Sequence, residues 1–370
     1  MNLFLKTSVV WFLAVSLLVG ACKKDNNNEP ALTEILKAKC DSVVLNTNVP
    51  GMVVGVWDSE HDVNFVYATG IADVAQSIPM DDEMLFRIGS NTKTFTNTVM
   101  LQLVDDGLIS TEDMLSKYVP DFPHSDEITM RMLGDMRSGI HSYTDTEEFY
   151  YEWLNNPLRV WTTDELLDIS SKYPLLFEPG DSFNYSNSNT VMIGKVIEIL
   201  TGNTLKQEIH RRIIDKLDLQ HTTYHASGSD MPGHHAHGYF TDDFDPAWPD
   251  VTEAWDVSWA QAAGGMVSNI HDLKIYVEAL VEGGLLSDSL QQLRLNSFYT
   301  IRGDSAYGIG LFKVHSFIGH NGGIEGYTSV MLHSLEKDAT IIILYNCKLS
   351  AHRPDDLFLE FLNTLYPGEF

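Results

Sequence analysis

The stretch that decides the fold is Phe86-Arg87-Ile88-Gly89-Ser90-Asn91-Thr92-Lys93-Thr94-Phe95-Thr96. The apolar run 99–104 continues it as a helix, and Asp105-Asp106-Gly107 ends that helix with polar residues and a glycine. Ser90 and Lys93 are three positions apart, so a helix places them on one face, about a turn apart. A desolvated lysine can take the proton of a serine hydroxyl and make the serine a nucleophile. The spacing alone favours a helix-capping serine followed by a surface lysine, so the rest of the chain has to decide.

Two later motifs supply groups that a reactive serine needs. Tyr185-Ser186-Asn187 precedes an apolar helix, and it offers a phenol that relays protons and an amide that orients a lysine or a substrate amide. His320-Asn321-Gly322-Gly323 lies between strand-like segments, where small residues on an edge strand let a substrate backbone approach closely. Each motif by itself is weak, because a polar turn before a helix or a single His-x-Gly is common.

In this order, the three motifs resemble those of the serine β-lactamase and penicillin-binding-protein-like family. Within that family the chain looks most like the soluble D-alanyl-D-alanine carboxypeptidases whose third motif is His-x-Gly. The resemblance runs from about residue 35 to residue 366, and it includes the segments 101–107, 128–131, 137–140, 177–180, 257–265 and 307–310.

The resemblance implies a role for each residue of the first two motifs. Ser90 is the acylated nucleophile. Lys93 and Tyr185 form the proton-transfer network, in which the general base stays open between the two. Asn187 holds Lys93 and the amide of the substrate. The implied reaction is acylation of Ser90 with loss of a leaving group, followed by hydrolysis of the acyl-enzyme.

The third motif agrees with the similar carboxypeptidases at its histidine and departs from them on both sides of its glycine. His320 takes the place of the usual lysine, and the backbone N–H groups of Ser90 and Gly323 are the expected oxyanion hole. The relatives have threonines on both sides of the motif glycine, and these grip a terminal carboxylate. Here Asn321 and Gly323 flank Gly322.

Glu325 adds an acid close to the place that would accept a carboxylate. Lys313 and Arg302 are the cations that the sequence offers to offset it. We therefore expect Asn321, Gly322 and Glu325 to contact the substrate, and an amine-terminated D-peptide, an amide or an ester gains weight over a D-Ala-D-Ala end.

Two aromatic residues and a histidine-rich loop are further candidates. Phe149 and Trp259 match aromatic positions that line the cleft in similar carboxypeptidases, although plain core packing explains them equally well. The loop 233–238 carries three histidines, but no cysteine or carboxylate stands at a ligand spacing beside them, and the segment resembles an ordinary loop of the family. We expect no metal and no cofactor.

The predicted fold is α+β, with an antiparallel five-stranded-type sheet built from both chain ends. Strand-like runs at 52–57, 63–67, 307–312, 327–332 and 340–345 surround a helical middle. Amphipathic helices near 32–44 and from Pro354 onward are expected to cover the sheet. The sheet lobe then comprises about 32–88 and 291–370, and an inserted helical lobe comprises about 89–290, as in the β-lactamase/transpeptidase-like fold.

The N-terminus reads as an export signal. Lys6 precedes a short apolar run and then the segment Gly20-Ala21-Cys22, which resembles a bacterial lipobox. We predict a signal peptide at 1–21, lipidation of Cys22, a polar tether at 22–31, and a bacterial cell-envelope lipoprotein whose only membrane attachment is that anchor. Cys40 and Cys347 fall on apolar patterns and are expected to be buried, although export also permits a disulfide between them.

Composition excludes some classes of partner. The net charge of −27, from 24 basic and 51 acidic residues, argues against a nucleic-acid surface.

The motifs and the family resemblance together predict a serine hydrolase that acts on a peptide-like or β-lactam small molecule, with D-alanyl-D-alanine carboxypeptidase activity on peptidoglycan stem peptides as the leading choice. A class C-like β-lactamase, an esterase or a D-aminopeptidase is the alternative, and a non-catalytic binding relative is disfavoured because all four motif residues are present. Oligomeric state is left open.

Overall fold

The structure is a computed structural model that describes residues 31–240, 248–348 and 352–370. Residues 32–370 form one compact unit. The predicted signal peptide and Cys22 lie outside the described residues. Within the described ranges, no helix is both long enough and apolar enough to cross a membrane.

A large antiparallel sheet organises the described part of the chain. Its nine described strands run in the order β3-β2-β1-β13-β12-β11-β10-β9-β8, and two small sheets, β14-β6 and β4-β7-β5, stand apart from it. The strands are β1 (Gly51–Asp58), β2 (Val63–Asp73), β3 (Ile78–Pro79), β4 (Phe86–Arg87), β5 (Thr223–Tyr224), β6 (Tyr239–Phe240), β7 (Met266–Ser268), β8 (Tyr299–Arg302), β9 (Ser305–Gly308), β10 (Leu311–Val314), β11 (Phe317–Ile324), β12 (Tyr327–Ser334), β13 (Ala339–Tyr345) and β14 (Cys347–Lys348).

Helices cover both faces of the sheet, and all but the first and last of the described α-helices come in the chain between β4 and β8. The α-helices are α1 (Leu32–Asn46), α2 (Thr92–Asp105), α3 (Met130–Gly134), α4 (Glu147–Asn155), α5 (Thr163–Ser171), α6 (Asn187–Thr201), α7 (Leu205–Ile209), α8 (Asp215–Leu217), α9 (Gln261–Gly264), α10 (Ile270–Glu282), α11 (Asp288–Leu295) and α12 (Pro354–Leu365). A π-helical turn, His210–Ile214, joins α7 to α8.

Alternation along the central strands separates two cores. Val54 and Ile343 face α1 and α12, the helices from the two chain ends. Val53 and Ile342 face the opposite way, into the larger core that contains α2, α6 and α10. The predicted arrangement, in which terminal helices cover a sheet built from both ends, is confirmed.

The number of strands in the sheet was underestimated. The run 307–312, predicted as one strand, is divided between β9 and β10, because Gly310 adopts a left-handed φ of +63° and turns the chain. Together with β8 these short strands extend the sheet beyond β11. The helix α10, which lies within the stretch assigned to the helical lobe, packs on β12 and β13.

Cys40 and Cys347 are both buried, and no disulfide joins the two side chains. Their predicted burial in the core is confirmed. The structure therefore contains no disulfide between these two described cysteines.

Candidate active site

Ser90 lies in a 3₁₀ turn, Gly89–Asn91, that leads directly into α2. Gly89 has a φ of +50°, and a side chain there would place its Cβ only 2.7 Å from the backbone nitrogen of Gly323 on β11. Only a glycine therefore allows the turn that carries Ser90 to approach β11 this closely. The first and third motifs are brought together by this contact.

Side chains next to Ser90 fasten the turn to the sheet. The amide of Asn91 donates to the Ile88 carbonyl oxygen at 3.0 Å and to Ser329 Oγ on β12 at 2.8 Å. Gly322 has no room for a side chain, because its Cβ would lie 2.1 Å from the same carbonyl. The position of Ser90 relative to β11 is thus fixed by buried hydrogen bonds and by close packing.

Lys93 lies one turn along α2 and reaches back to the serine. Its Nζ is 3.0 Å from Ser90 Oγ, and it donates to the Ala263 carbonyl oxygen at 2.8 Å. The side chain is fully buried with no carboxylate among these partners, and this burial lowers the pKa of the lysine well below its usual value. Lys93 is therefore suited to act as the neutral amine that accepts the proton of Ser90.

Tyr185 lies close to both Ser90 and Lys93. Lys93 Nζ is 4.9 Å from the centroid of the Tyr185 ring. Burial raises the pKa of the Tyr185 phenol, and a hydrogen bond with Ser90 opposes only part of this effect. Tyr185 therefore stays a neutral phenol, which makes it a better proton carrier than a base.

His320 is buried, and it pairs with Tyr307, a residue for which no role was predicted from the sequence. Its Nε2 is 3.0 Å from the Tyr307 hydroxyl, and its Nδ1 contacts the Asn321 carbonyl oxygen. Burial, helped by the nearby Lys93, lowers the pKa of His320 to about 3. The imidazole is therefore neutral at physiological pH, with Nδ1–H donating to Asn321 and Nε2 accepting from Tyr307. Unlike a third-motif lysine, His320 brings no positive charge.

The N–H of Gly323 is available at Ser90. Residues 324 and 327 close the two-residue turn between β11 and β12, so they form the hydrogen-bonded pair, and the preceding pair, Gly323 with Thr328, is of the non-hydrogen-bonded kind. The Gly323 N–H therefore points away from β12, toward the turn that carries Ser90. β10 does not cover this half of β11, because its pairing ends at Gly319. This geometry agrees with the expected oxyanion hole.

A cleft of about 680 Å³ opens at these residues. Its lining consists of the motif residues Ser90, Tyr185, His320, Asn321, Gly322 and Gly323, of Tyr307 and Thr328, of the apolar Phe183, Ile301 and Phe312, and of the charged Lys348, Arg353 and Asp355. The chemistry-bearing side chains thus meet beside the half of β11 that β10 leaves unpaired.

Asn187 does not contact Lys93 as expected. It begins α6, its backbone N–H donates to Ser142 Oγ at 3.2 Å, and its side-chain amide donates to Thr144 Oγ1 at 3.1 Å. The Ala263 carbonyl takes the expected place beside Lys93. Because the Asn187 side chain is turned toward the 142–144 loop, the prediction that it holds the lysine is wrong for this structure.

Phe149 and Trp259 are also placed away from the cleft lining. Phe149 is buried among rings, with its centroid 5.2 Å from those of Tyr143 and Trp161 and 6.1 Å from that of Trp259. The cluster is held by the Tyr143 hydroxyl, which donates to the Trp259 carbonyl oxygen at 2.6 Å. Core packing therefore accounts for both side chains.

Glu325 lies at the tip of the β11–β12 hairpin and does not line the cleft. One carboxylate oxygen is 3.1 Å from Lys348 Nζ. The offsetting cation is thus Lys348, whereas Lys313 packs on the Phe298 ring and Arg302 lies on the edge strand β8. Glu325 is expected to contact the substrate, but the two-residue turn carries it beyond the strand, so the residue is not part of the cleft lining.

Two of the three histidines of the 233–238 loop have separate carboxylate partners. His234 pairs with Asp81 at 2.7 Å and His237 with Asp250 at 2.6 Å. His235 stacks on His237 and contacts the Gly233 carbonyl. The three rings therefore serve local contacts and do not converge on one point.

Both the sequence and the fold of this chain match known proteins. The family described as Beta-lactamase matches residues 31–362. The chain belongs to this family. The predicted β-lactamase/transpeptidase-like fold is confirmed, and the hydrolases among its structural neighbours support the prediction of a serine hydrolase.

Relatives in the family carry several activities. The chain is 25% identical over 305 residues to penicillin-binding protein 4* of Bacillus subtilis, which covers 77% of this chain and 66% of that relative. Overall, the chain spans 59–66% of the length of this relative and of protein flp from Staphylococcus aureus. A D-stereospecific amidohydrolase from Streptomyces sp. superposes with a TM-score of 0.79 at 29% identity, covering 92% of this chain and 99% of its own. The D-amino acid amidase from Ochrobactrum anthropi SV3 gives a TM-score of 0.79 at 25% identity, covering 91% and 99%.

Proposed function

We propose that the chain hydrolyses the amide bond of D-amino-acid derivatives through an acyl-enzyme on Ser90. The observation that carries the proposal is the 3.0 Å contact between Lys93 Nζ and Ser90 Oγ, with the lysine buried and its pKa lowered. Such a pair can attack an amide carbonyl without any further cofactor. The likeness to a D-stereospecific amidohydrolase and to a D-amino acid amidase supports the substrate class.

The reaction uses each residue around the serine. Lys93 accepts the Ser90 proton as Oγ attacks the carbonyl carbon, and the backbone N–H groups of Ser90 and Gly323 stabilise the oxyanion of the tetrahedral intermediate. The Tyr185 phenol gives its proton to the departing nitrogen and regains one from Lys93, so the C–N bond breaks, the amine leaves and Lys93 is neutral again. Water then attacks the ester carbonyl and gives a proton to the Lys93 amine. The C–O bond to Ser90 breaks, Lys93 returns the proton to Ser90 Oγ, and the free acid leaves.

The test is hydrolysis of D-phenylalanine amide beside L-phenylalanine amide, followed by release of ammonia and of the free amino acid. Ser90→Ala is the matched inactive control. We expect turnover of the D-amide alone, lost in the variant. Equal turnover of both enantiomers, or none of either, would contradict the proposal.

A D-alanyl-D-alanine carboxypeptidase is the second candidate. It is favoured by the likeness to a penicillin-binding protein and by Lys348 and Arg353, two cations that line the cleft. Intact-mass spectrometry with a penicillin separates the possibilities. A stable adduct on Ser90 with release of D-alanine from a D-Ala-D-Ala peptide supports the carboxypeptidase, whereas an adduct that vanishes while the drug is consumed indicates a β-lactamase.

We also propose that the chain is an exported lipoprotein anchored through Cys22. The proposal is supported by the lipobox-like segment that ends in Cys22 and by the polar tether after it. The full chain expressed in a bacterium is expected to partition into the detergent phase with the mass of a lipid added, and Cys22→Ser to stay aqueous. Identical partitioning of the two proteins would contradict the anchor.

A further inference from the structure

The first turn of α12 brings a carboxylate into the cleft, at Asp355. We propose that Asp355 is a specificity residue that excludes substrates whose leaving group ends in a carboxylate and favours an uncharged one. The inference rests on the proposed reaction at Ser90, and it names the feature of the substrate that this end of the cleft selects.

Asp355 lies on the side of the cleft that receives the leaving group. The proton must return to the departing atom, so that atom sits against the Tyr185 phenol. The ring centroids of Tyr185 and His320 are 6.1 Å apart, and Asn321 follows His320 on β11. Asp355 Oδ1 accepts a hydrogen bond from Asn321 Nδ2 at 2.7 Å. Tyr185, Asn321 and Asp355 all line the one cleft at Ser90, so a leaving group that extends from Tyr185 along β11 lies within reach of the Asn321–Asp355 pair.

The donors at this end of the cleft are already engaged by protein acids. The second oxygen of Asp355 is 3.1 Å from Arg353 Nη2, while its first holds the Asn321 amide. Lys348 is paired in the same way with Glu325 at 3.1 Å. An incoming carboxylate would have to break one of these contacts and approach the charge of Asp355 as well.

An uncharged leaving group meets neither obstacle. A primary amide or an amine N–H can donate to the remaining lone pairs of Asp355, because each carboxylate oxygen accepts more than one hydrogen bond. The apolar side chains of Ile301 and Phe312 line the same cleft and suit an uncharged group. Asp355 thus makes this end of the cleft disfavour anions, although Arg353 and Lys348 line it.

The experiment compares Asp355→Asn with Glu360→Gln. Both variants remove one negative charge of α12 that lies next to a cation, but only Asp355 lines the cleft, whereas Glu360 is exposed and lies 3.3 Å from Lys39. The readout is the rate constant for acylation by benzylpenicillin, which carries a carboxylate on its leaving side, divided by the rate of hydrolysis of an uncharged p-nitrophenyl ester. We expect this ratio to rise about tenfold in Asp355→Asn, because a repulsion is removed and Arg353 is released.

In Glu360→Gln the ratio should stay within about twofold of the native value, since an exposed ion pair away from the cleft contributes little. Added salt should raise the ratio of the native protein more than that of Asp355→Asn, because the native cleft holds one more repulsive charge to be screened. An unchanged ratio in Asp355→Asn, the absence of any penicillin adduct on it, or an equal rise in Glu360→Gln would overturn the proposal. Failure of the native protein to hydrolyse D-amino-acid amides would refute the proposed function alone, because the ratio does not use those substrates.

Discussion

Replacing Gly89 with alanine tests whether the contact between the Ser90 turn and β11 builds the oxyanion hole. The new Cβ would lie 2.7 Å from Gly323 N and 3.0 Å from both Gly323 C and O, all backbone atoms. Ordinary contact needs about 3.4 Å, so the strand must retreat by roughly half an ångström or more, which takes the Gly323 N–H out of hydrogen-bond range of the oxyanion. Loss of one such donor lowers kcat by about 10²–10³-fold.

Gly107→Ala is the matched control, because Gly107 also has a positive φ, +71°, but its Cβ would meet nothing within 4 Å. Both variants should lose about 1 kcal/mol of unfolding free energy from the left-handed backbone. The assay is steady-state hydrolysis of a p-nitrophenyl ester, with urea unfolding of the same samples. A Gly89→Ala protein that keeps native kcat, or a Gly107→Ala protein that loses as much, would refute the reasoning.

Three further predictions concern the proton network. Lys93→Arg keeps a cation that cannot deprotonate, so kcat/KM for the ester should fall by about 10³-fold. In the native protein kcat/KM should decline as the pH falls through the lowered pKa of Lys93. A fully active variant would show that another group is the base. His320 has a pKa of about 3 in the folded state and about 6.5 when unfolded, so the unfolded chain binds the proton first and stability is lost on acidification. Between pH 7 and 4 this loss is about 3 kcal/mol by urea unfolding, and His320→Gln should lack it; an equal loss in both proteins would exclude His320 as the source. Tyr307→Phe leaves the buried His320 Nε2 without its donor and should cost about 1–2 kcal/mol, whereas Tyr151→Phe, at an exposed position, should cost almost nothing; similar costs would argue against the pair.

The sequence predicted the parts of the molecule that depend on local pattern. Ser90 and Lys93 share a helical turn, so their spacing alone places the two side chains together. The central strands were readable because their apolar runs are long, as in residues 339–345. The strand that carries His320 could be related to the serine only through the family resemblance, since 230 positions separate the two residues.

Groups that meet through distant contacts could not be predicted. The carbonyl of Ala263 holds Lys93, yet a backbone oxygen leaves no trace in the residue type. Tyr307 and Asp355 come from different elements and meet the site through the packing of β9 and α12. The place of Glu325 outside the cleft lining could not be predicted, because the exact turn between β11 and β12 decides whether a residue faces the cleft, and the glycines before it leave that turn undetermined.

The pairing of β1 with β13 has a consequence for folding during synthesis. Val54 on β1 pairs with Ile343 on β13, 289 positions later, so the middle of the sheet is closed by nearly the whole length of the chain. A polypeptide still emerging from the ribosome has no partner for that side of β1 and lacks the strand that faces Ser90. The apolar strand β1 therefore stays without its β13 partner until synthesis is almost complete, and a chain cut short before β11 has its nucleophile and lysine but lacks the Gly323 N–H.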